Sequence, residues 1–215
     1  MEKRLIIASL GFDPSVFLRI IGRYGITDSD KVIIVSSSVE HPKSEAAISE
    51  VMNFFNKVGF NVDVKVMKLD ENNFPESLVD FYCKLRTIVE MNDFSRILVD
   101  ISGGPRGIGL ILYITAGLLG LKEVFLTTET KSVSIEVPVM VGSIDSFLPT
   151  DKQYKLLSLL PHRPSYISKE MGVSLSSVSK LIRSLENRGL IQREGRSFKL
   201  TEKGKLVIAL KKCVS

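Results

Sequence analysis

Two cysteines and two histidines are all that 215 residues hold of the softer metal-binding side chains. Cys83 and Cys213 do not suggest a disulfide framework. With His41 and His162 far apart, no zinc pattern can be assembled, so neither a metal site nor a cofactor is expected. A reducing cytoplasm suits such a chain. No apolar run approaches the ~20 residues that a membrane-spanning helix needs, so no membrane partner is expected. The run Leu5–Leu10 follows Lys3-Arg4 as an export signal would, but Gly11-Phe12-Asp13-Pro14 cuts it short and it reads as a buried strand. The glycine-rich stretch 103–109 has no Gly-Lys-Ser/Thr after it and does not fit G-x-G-x-x-G before a helix. That removes the Walker A loop and the dinucleotide fingerprint.

What is present is unevenly charged. Residues 1–149 carry 15 Lys and Arg against 19 Asp and Glu, a net −4, whereas residues 150–215 carry 14 against 5, a net +9. A near-neutral body joined to a basic module is the pattern of a nucleic-acid-binding protein, with a solvated basic tail as the plainer alternative.

The first part of the chain alternates apolar runs with helical segments. The runs are Leu5–Leu10, Val32–Val35, Val62–Met67, Ile97–Ile101 and Val124–Leu126, read as unalternating strands buried on both faces. Between them the spacing predicts helices over Pro14–Tyr24 capped by Asp13, from Pro42 to Lys57 stopped at Gly59, and over Pro75–Met91. The fold class is therefore α/β, a doubly wound and mainly parallel sheet over residues 1–141. Val133, Ile135, Val137, Val139 and Val141 alternate and predict a final antiparallel strand or hairpin at its edge.

Ligands of such sheets sit beyond the carboxyl ends of the strands, where strand order reverses. Three corners arrive at that edge: Ser9 with Gly11-Phe12-Asp13, then Ser36-Ser37-Ser38, then Ser102-Gly103-Gly104-Pro105-Arg106-Gly107. Glycines permit close approach of a ligand, Pro105 suits a first helical turn, and helix N-termini with Ser102 and Arg106 favour phosphate. A tight βα turn would use the same glycines. Asp13 serves equally as a helix cap, Phe12 as a core plug or a base-stacking platform, and Asp100 as a locally hydrogen-bonded carboxyl. No His or Lys is well placed near these corners for proton transfer, so no catalytic residue is expected.

Residues 142–150 read as a joint and 151–215 as a small winged helix-turn-helix domain. The expected helices are Asp151–Leu160, Pro164–Met171 and one capped by Ser174 that runs to Arg188, followed by a hairpin across Glu194-Gly195-Arg196 and a last helix capped by Thr201. In the third helix Val178, Leu181, Ile182 and Leu185 face a core, leaving Ser176, Ser177, Lys180, Arg183 and Ser184 outside to meet double-stranded DNA. Arg193, Arg196 and Lys199 of the hairpin are expected on its backbone.

Gly11-Phe12-Asp13 after strand one and Ser102-Gly103-Gly104-Pro105-Arg106-Gly107 after strand four, ahead of a winged helix, resemble the CRISPR-associated Rossmann-fold (CARF) transcriptional regulators of archaeal type I-A CRISPR–Cas systems. The resemblance implies a homodimer whose paired corners hold a cyclic oligoadenylate, typically cyclic tetra-adenylate, and a DNA-binding role in antiviral defence. It places the ligand on Gly11, Phe12, Asp13, Ser102, Gly103, Gly104, Arg106 and Gly107. Family members with other C-terminal domains are ribonucleases or cleave the ring, so a ring nuclease, or a regulator sensing another nucleotide, is the alternative.

Overall fold

The computed structural model describes residues 3–127, 133–140, 142, 144–195 and 197–214. The chain forms two compact units, Met1–Ile144 and Asp145–Ser215.

In the first unit, β1 (Arg4–Ser9), α1 (Pro14–Tyr24), β2 (Lys31–Ser37), α2 (Pro42–Val58), β3 (Asp63–Leu69), α3 (Phe74–Glu90), β4 (Arg96–Asp100), α4 (Arg106–Leu118), β5 (Glu123–Thr127) and β6 (Ser134–Glu136) follow in order. Among the described residues they build a six-stranded sheet of order β3-β2-β1-β4-β5-β6, with β6 alone antiparallel. This is the expected Rossmann-like architecture. Strand order reverses between β1 and β4, whose register pairs Ile6 with Leu98 and Ala8 with Asp100. Helix α1 packs with α2, and α3 with α4, so the two pairs sheath the sheet. Ile6, Ala8 and Leu10 of the β1 segment meet Phe17, Ile20 and Ile21 of α1 and Val51 and Phe55 of α2 in one buried cluster.

Strand β3 departs from the expectation of two-sided burial. It alternates exposed and covered residues because it lies at the sheet edge with β2 as its single neighbour. The edge stretch expected from Val133 to Val141 yields only the three-residue β6, and Val141 lies outside the described residues. At the opposite end of the sheet from the corners, the Arg4 guanidinium meets Asp30 at 2.6 Å and donates to the Tyr24 carbonyl at 2.9 Å. That clamp fixes the start of β1 beside the loop that enters β2. Burial acts to raise the Asp30 carboxyl, and the Arg4 and Thr27 hydrogen bonds overcome it, leaving it below the ordinary carboxylate range.

In the second unit α5 (Ile144–Phe147), which lies in the stretch read as a joint, precedes α6 (Asp151–Ser158), α7 (Pro164–Met171), α8 (Leu175–Asn187), the antiparallel pair β7 (Ile191–Glu194) and β8 (Ser197–Leu200), and α9 (Glu202–Val214). Leu156, Leu157, Ile167, Val178, Ile182, Leu185, Ile191, Phe198 and Val207 form its core. Gln153, half of a capping box with Thr150, is a hub that the periodicity conceals. It donates to Ser184 Oγ at 3.1 Å and accepts from the Arg188 guanidinium at 3.1 Å.

Among the described residues, no helix is long and apolar enough to cross a membrane.

Candidate functional site

The corners after β1 and β4 lie against each other at the strand-order reversal. A Cβ on Gly11 would come within 2.7 Å of Gly104 Cα, and one on Gly103 would run into the Ser9 carbonyl oxygen. Gly104 itself has φ +74°, a conformation that favours glycine. These glycines therefore let two backbones abut, and the structural reason for them is as strong as any ligand-binding one.

Several expected ligand residues turn out to be inside. Ser9 is fully buried; its hydroxyl accepts from Gly103 N–H at 3.1 Å and donates to the Asp100 carbonyl at 3.4 Å, a strut joining the two corners. Ser36 is buried in β2 with no hydrogen-bond partner for Oγ among the described residues, and Ser37 is half-buried and accepts from Val39 N–H at 3.2 Å. Only Ser38 of that trio is exposed. The Ser102 hydroxyl accepts from Thr127 N–H at 2.7 Å, so it ties the corner to β5 before it can serve a ligand.

Of the helix N-termini at this edge, those of α1 and α4 differ. Asp13 caps α1 by accepting from Ser15 N–H at 2.9 Å; the Ser15 hydrogen bonds, chiefly, and the Arg19 charge hold its carboxyl below the usual range. That N-terminus already has its anion. Helix α4 has none from a cap: Pro105 is its N-cap, one residue ahead of the expected first-turn position, and supplies no side-chain hydrogen bond. The N–H groups of Arg106 and Gly107 find no partner among the described residues, and the Arg106 side chain is exposed without a hydrogen bond or ion pair among them. The first turn of α4 therefore keeps two N–H groups without a hydrogen bond among the described residues, although the Glu71 carboxylate lies beside it, with Oε2 3.2 Å from where a Cβ on Gly107 would stand.

Phe12 is not a core plug. It is 60% exposed, and its ring lies 4.4 Å from that of His41, centroid to centroid. His41, the N-cap of α2, is brought here from the β2 corner and had no signal in the sequence beyond its place before Pro42. Asp100 is buried beneath the corner. Its Oδ1 accepts from Ser102 N–H at 2.8 Å and Oδ2 has no partner among the described residues, and burial pushes the carboxyl above the usual range against that hydrogen bond.

In the second unit α7 and α8 meet through Gly172, at φ +64°, and Ser174 caps α8 by accepting from Ser177 N–H at 3.2 Å. Ser176, Ser177, Lys180 and Arg183 are exposed as expected. Ser184 is half-buried against Gln153 and leaves that face. On the hairpin Arg193 is exposed over the Phe198 ring, whereas Lys199 is paired with Glu194 at 2.6 Å. Arg196 lies outside the described residues.

No curated protein matches the chain. Two point variants of RuvB from Thermotoga maritima align with it at 11% and 12% identity, covering 94% and 95% of this chain and 76% and 86% of theirs, each with a TM-score of 0.25. Likeness of that size carries no argument. Residues 4–138 match the Csa3 CRISPR-associated Rossmann-like domain, a span that takes in β1 to β6 and every corner described above. The reversal of strand order between β1 and β4, the abutting glycine corners and that match agree, and the chain belongs to the Csa3 family of CRISPR-associated Rossmann-like domains.

Proposed function

We propose that the chain is a ligand-responsive DNA-binding regulator of CRISPR–Cas genes, whose first unit binds a cyclic oligoadenylate, of which cyclic tetra-adenylate is the first to test. One observation carries the reading. In a CRISPR-associated domain, at the strand-order reversal, the first turn of α4 offers two open N–H groups beside an exposed guanidinium. A ring of phosphodiesters brings one negative charge per nucleotide, and N–H groups with arginine are what bind it best.

Such a ring calls for two copies of the site. Leu110 on α4 is 51% exposed and Met140 84%, and Tyr113 links the two segments by donating to the Pro138 carbonyl and accepting from Met140 N–H, both at 3.0 Å. An apolar face of this kind beside the site suits a two-fold homodimer. In the second unit the order α6-α7-α8-hairpin-α9 supports reading it as a winged helix-turn-helix. Helix α8 would then enter the major groove with Ser176 and Ser177 at base edges and Lys180 and Arg183 on phosphates, while Arg193 on the wing meets the backbone.

Retardation of the gene's own promoter or CRISPR leader DNA at moderate salt, with and without cyclic tetra-adenylate, tests the reading. Specific retention that the ligand alters is expected. No preference over random DNA would overturn it. No catalytic step belongs to this function. Ring cleavage is the second reading because His41 stands at the same edge; linear product from labelled ring over hours would decide for it.

A further inference from the structure

The edge that offers α4 to a phosphate also holds an aromatic pair that phosphate chemistry leaves unused. Phe12 stands between two fixed points: Gly11 is jammed against Gly104, and Asp13 is bound as the cap of α1. The side chain is 60% exposed although the neighbouring Leu10 is fully buried. His41 backs it at 4.4 Å with the ring planes inclined by 32°. The imidazole is itself held, because Nδ1 accepts from Lys43 N–H at 3.2 Å. In the neutral ring the proton must then sit on Nε2, which makes that atom a donor with no partner among the described residues.

A rigid exposed ring beside a fixed donor, next to an anion position, matches a planar base attached to a phosphate. Purines offer the larger π face and ring nitrogens that accept a hydrogen bond. We propose that Phe12 and His41 form a purine-base subsite, in which the base stacks on Phe12 and accepts a hydrogen bond from His41 Nε2. The subsite rests on the reading of this unit as an oligonucleotide sensor and adds base selection to the charge recognition supplied by α4.

The test uses the full chain and cyclic tetra-adenylate carrying one 2-aminopurine, whose fluorescence falls on stacking. Calorimetry gives affinity and fluorescence gives stacking. His41→Asn keeps a side-chain acceptor for the cap of α2 while removing the ring, and Phe12→Ala removes the platform; unchanged melting temperatures verify both folds. Phe12→Ala is expected to weaken binding at least about fivefold, by the usual effect of losing a stacked base, and to abolish the quench. His41→Asn should weaken binding and reduce the preference over cyclic tetra-uridylate. If wild type binds and both variants match it in affinity and quench, the subsite is wrong while the sensor reading stands. If wild type itself does not bind the ring, both are wrong.

Discussion

Asp100 is 3% exposed at the end of β4, with one carboxylate oxygen on Ser102 N–H and the other without a partner among the described residues. Burial raises its pKa. The folded state therefore holds the proton more tightly than the unfolded one, so Asp100 stabilises the fold most below its unfolded pKa near ~3.9, and that stability is lost as pH rises through the folded value. Asp100→Asn, which keeps the acceptor and removes the charge, should gain stability relative to wild type between pH 4 and pH 7, by about 1.4 kcal/mol for each unit the pKa is raised. Urea denaturation of both proteins at the two pH values measures this; an equal difference at both would mean that Asp100 is not held against its charge. Single residues are also where the sequence was least legible. Gly11, Gly103 and Gly104 stood out as a corner, but their demand comes from a backbone that lies some 90 positions away in the chain and only topology brings near. His41 came from a third corner for the same reason, and Ser9 and Ser36 gave no sign of facing inward rather than out.

Elements were far more legible, since periodicity and caps act within one stretch. Asp13 and Ser174 cap as their positions imply, and α7 occupies Pro164–Met171 as expected. What escaped was lateral context: β3 became an edge strand, and Ser184 was drawn in by Gln153 from another helix. For α8 this leaves Ser176, Ser177, Lys180 and Arg183 exposed out of the five residues expected to meet DNA. Each phosphate contact contributes about 0.9 to the slope of log affinity against log salt. Replacing Lys180 and Arg183 together by Ala should therefore weaken DNA retention and flatten that slope by up to ~2. Val178, Ile182 and Leu185 still hold the helix, so its melting behaviour should be unchanged. Affinity titrations across a salt series give the slope. A variant with wild-type slope and affinity would remove α8 from the DNA interface.

At the scale of the whole molecule, binding of a ring in one unit alters DNA affinity in the other only to the extent that the ring binds two arrangements unequally. Such couplings commonly amount to about 5- to 150-fold. Arg106 is the residue best placed to separate the two functions, because it is exposed and unpaired among the described residues and so contributes little to the fold. Its N–H would remain in Arg106→Ala, while the guanidinium proposed to meet the ring's charge would be gone. DNA retention without ligand should match wild type, the shift caused by cyclic tetra-adenylate should disappear, and denaturation should agree with wild type within about 0.5 kcal/mol. Retention assays with and without the ring, on both proteins, read all of this. Loss of basal DNA binding together with stability would make Ser102–Gly107 a structural turn, whereas an intact ligand response would place the anion elsewhere than α4. The sequence alone could weigh the corner only as turn or cradle; the first turn of α4, which has no side-chain cap, beside an α1 terminus already capped by Asp13, is what makes Arg106 the position where those two readings part.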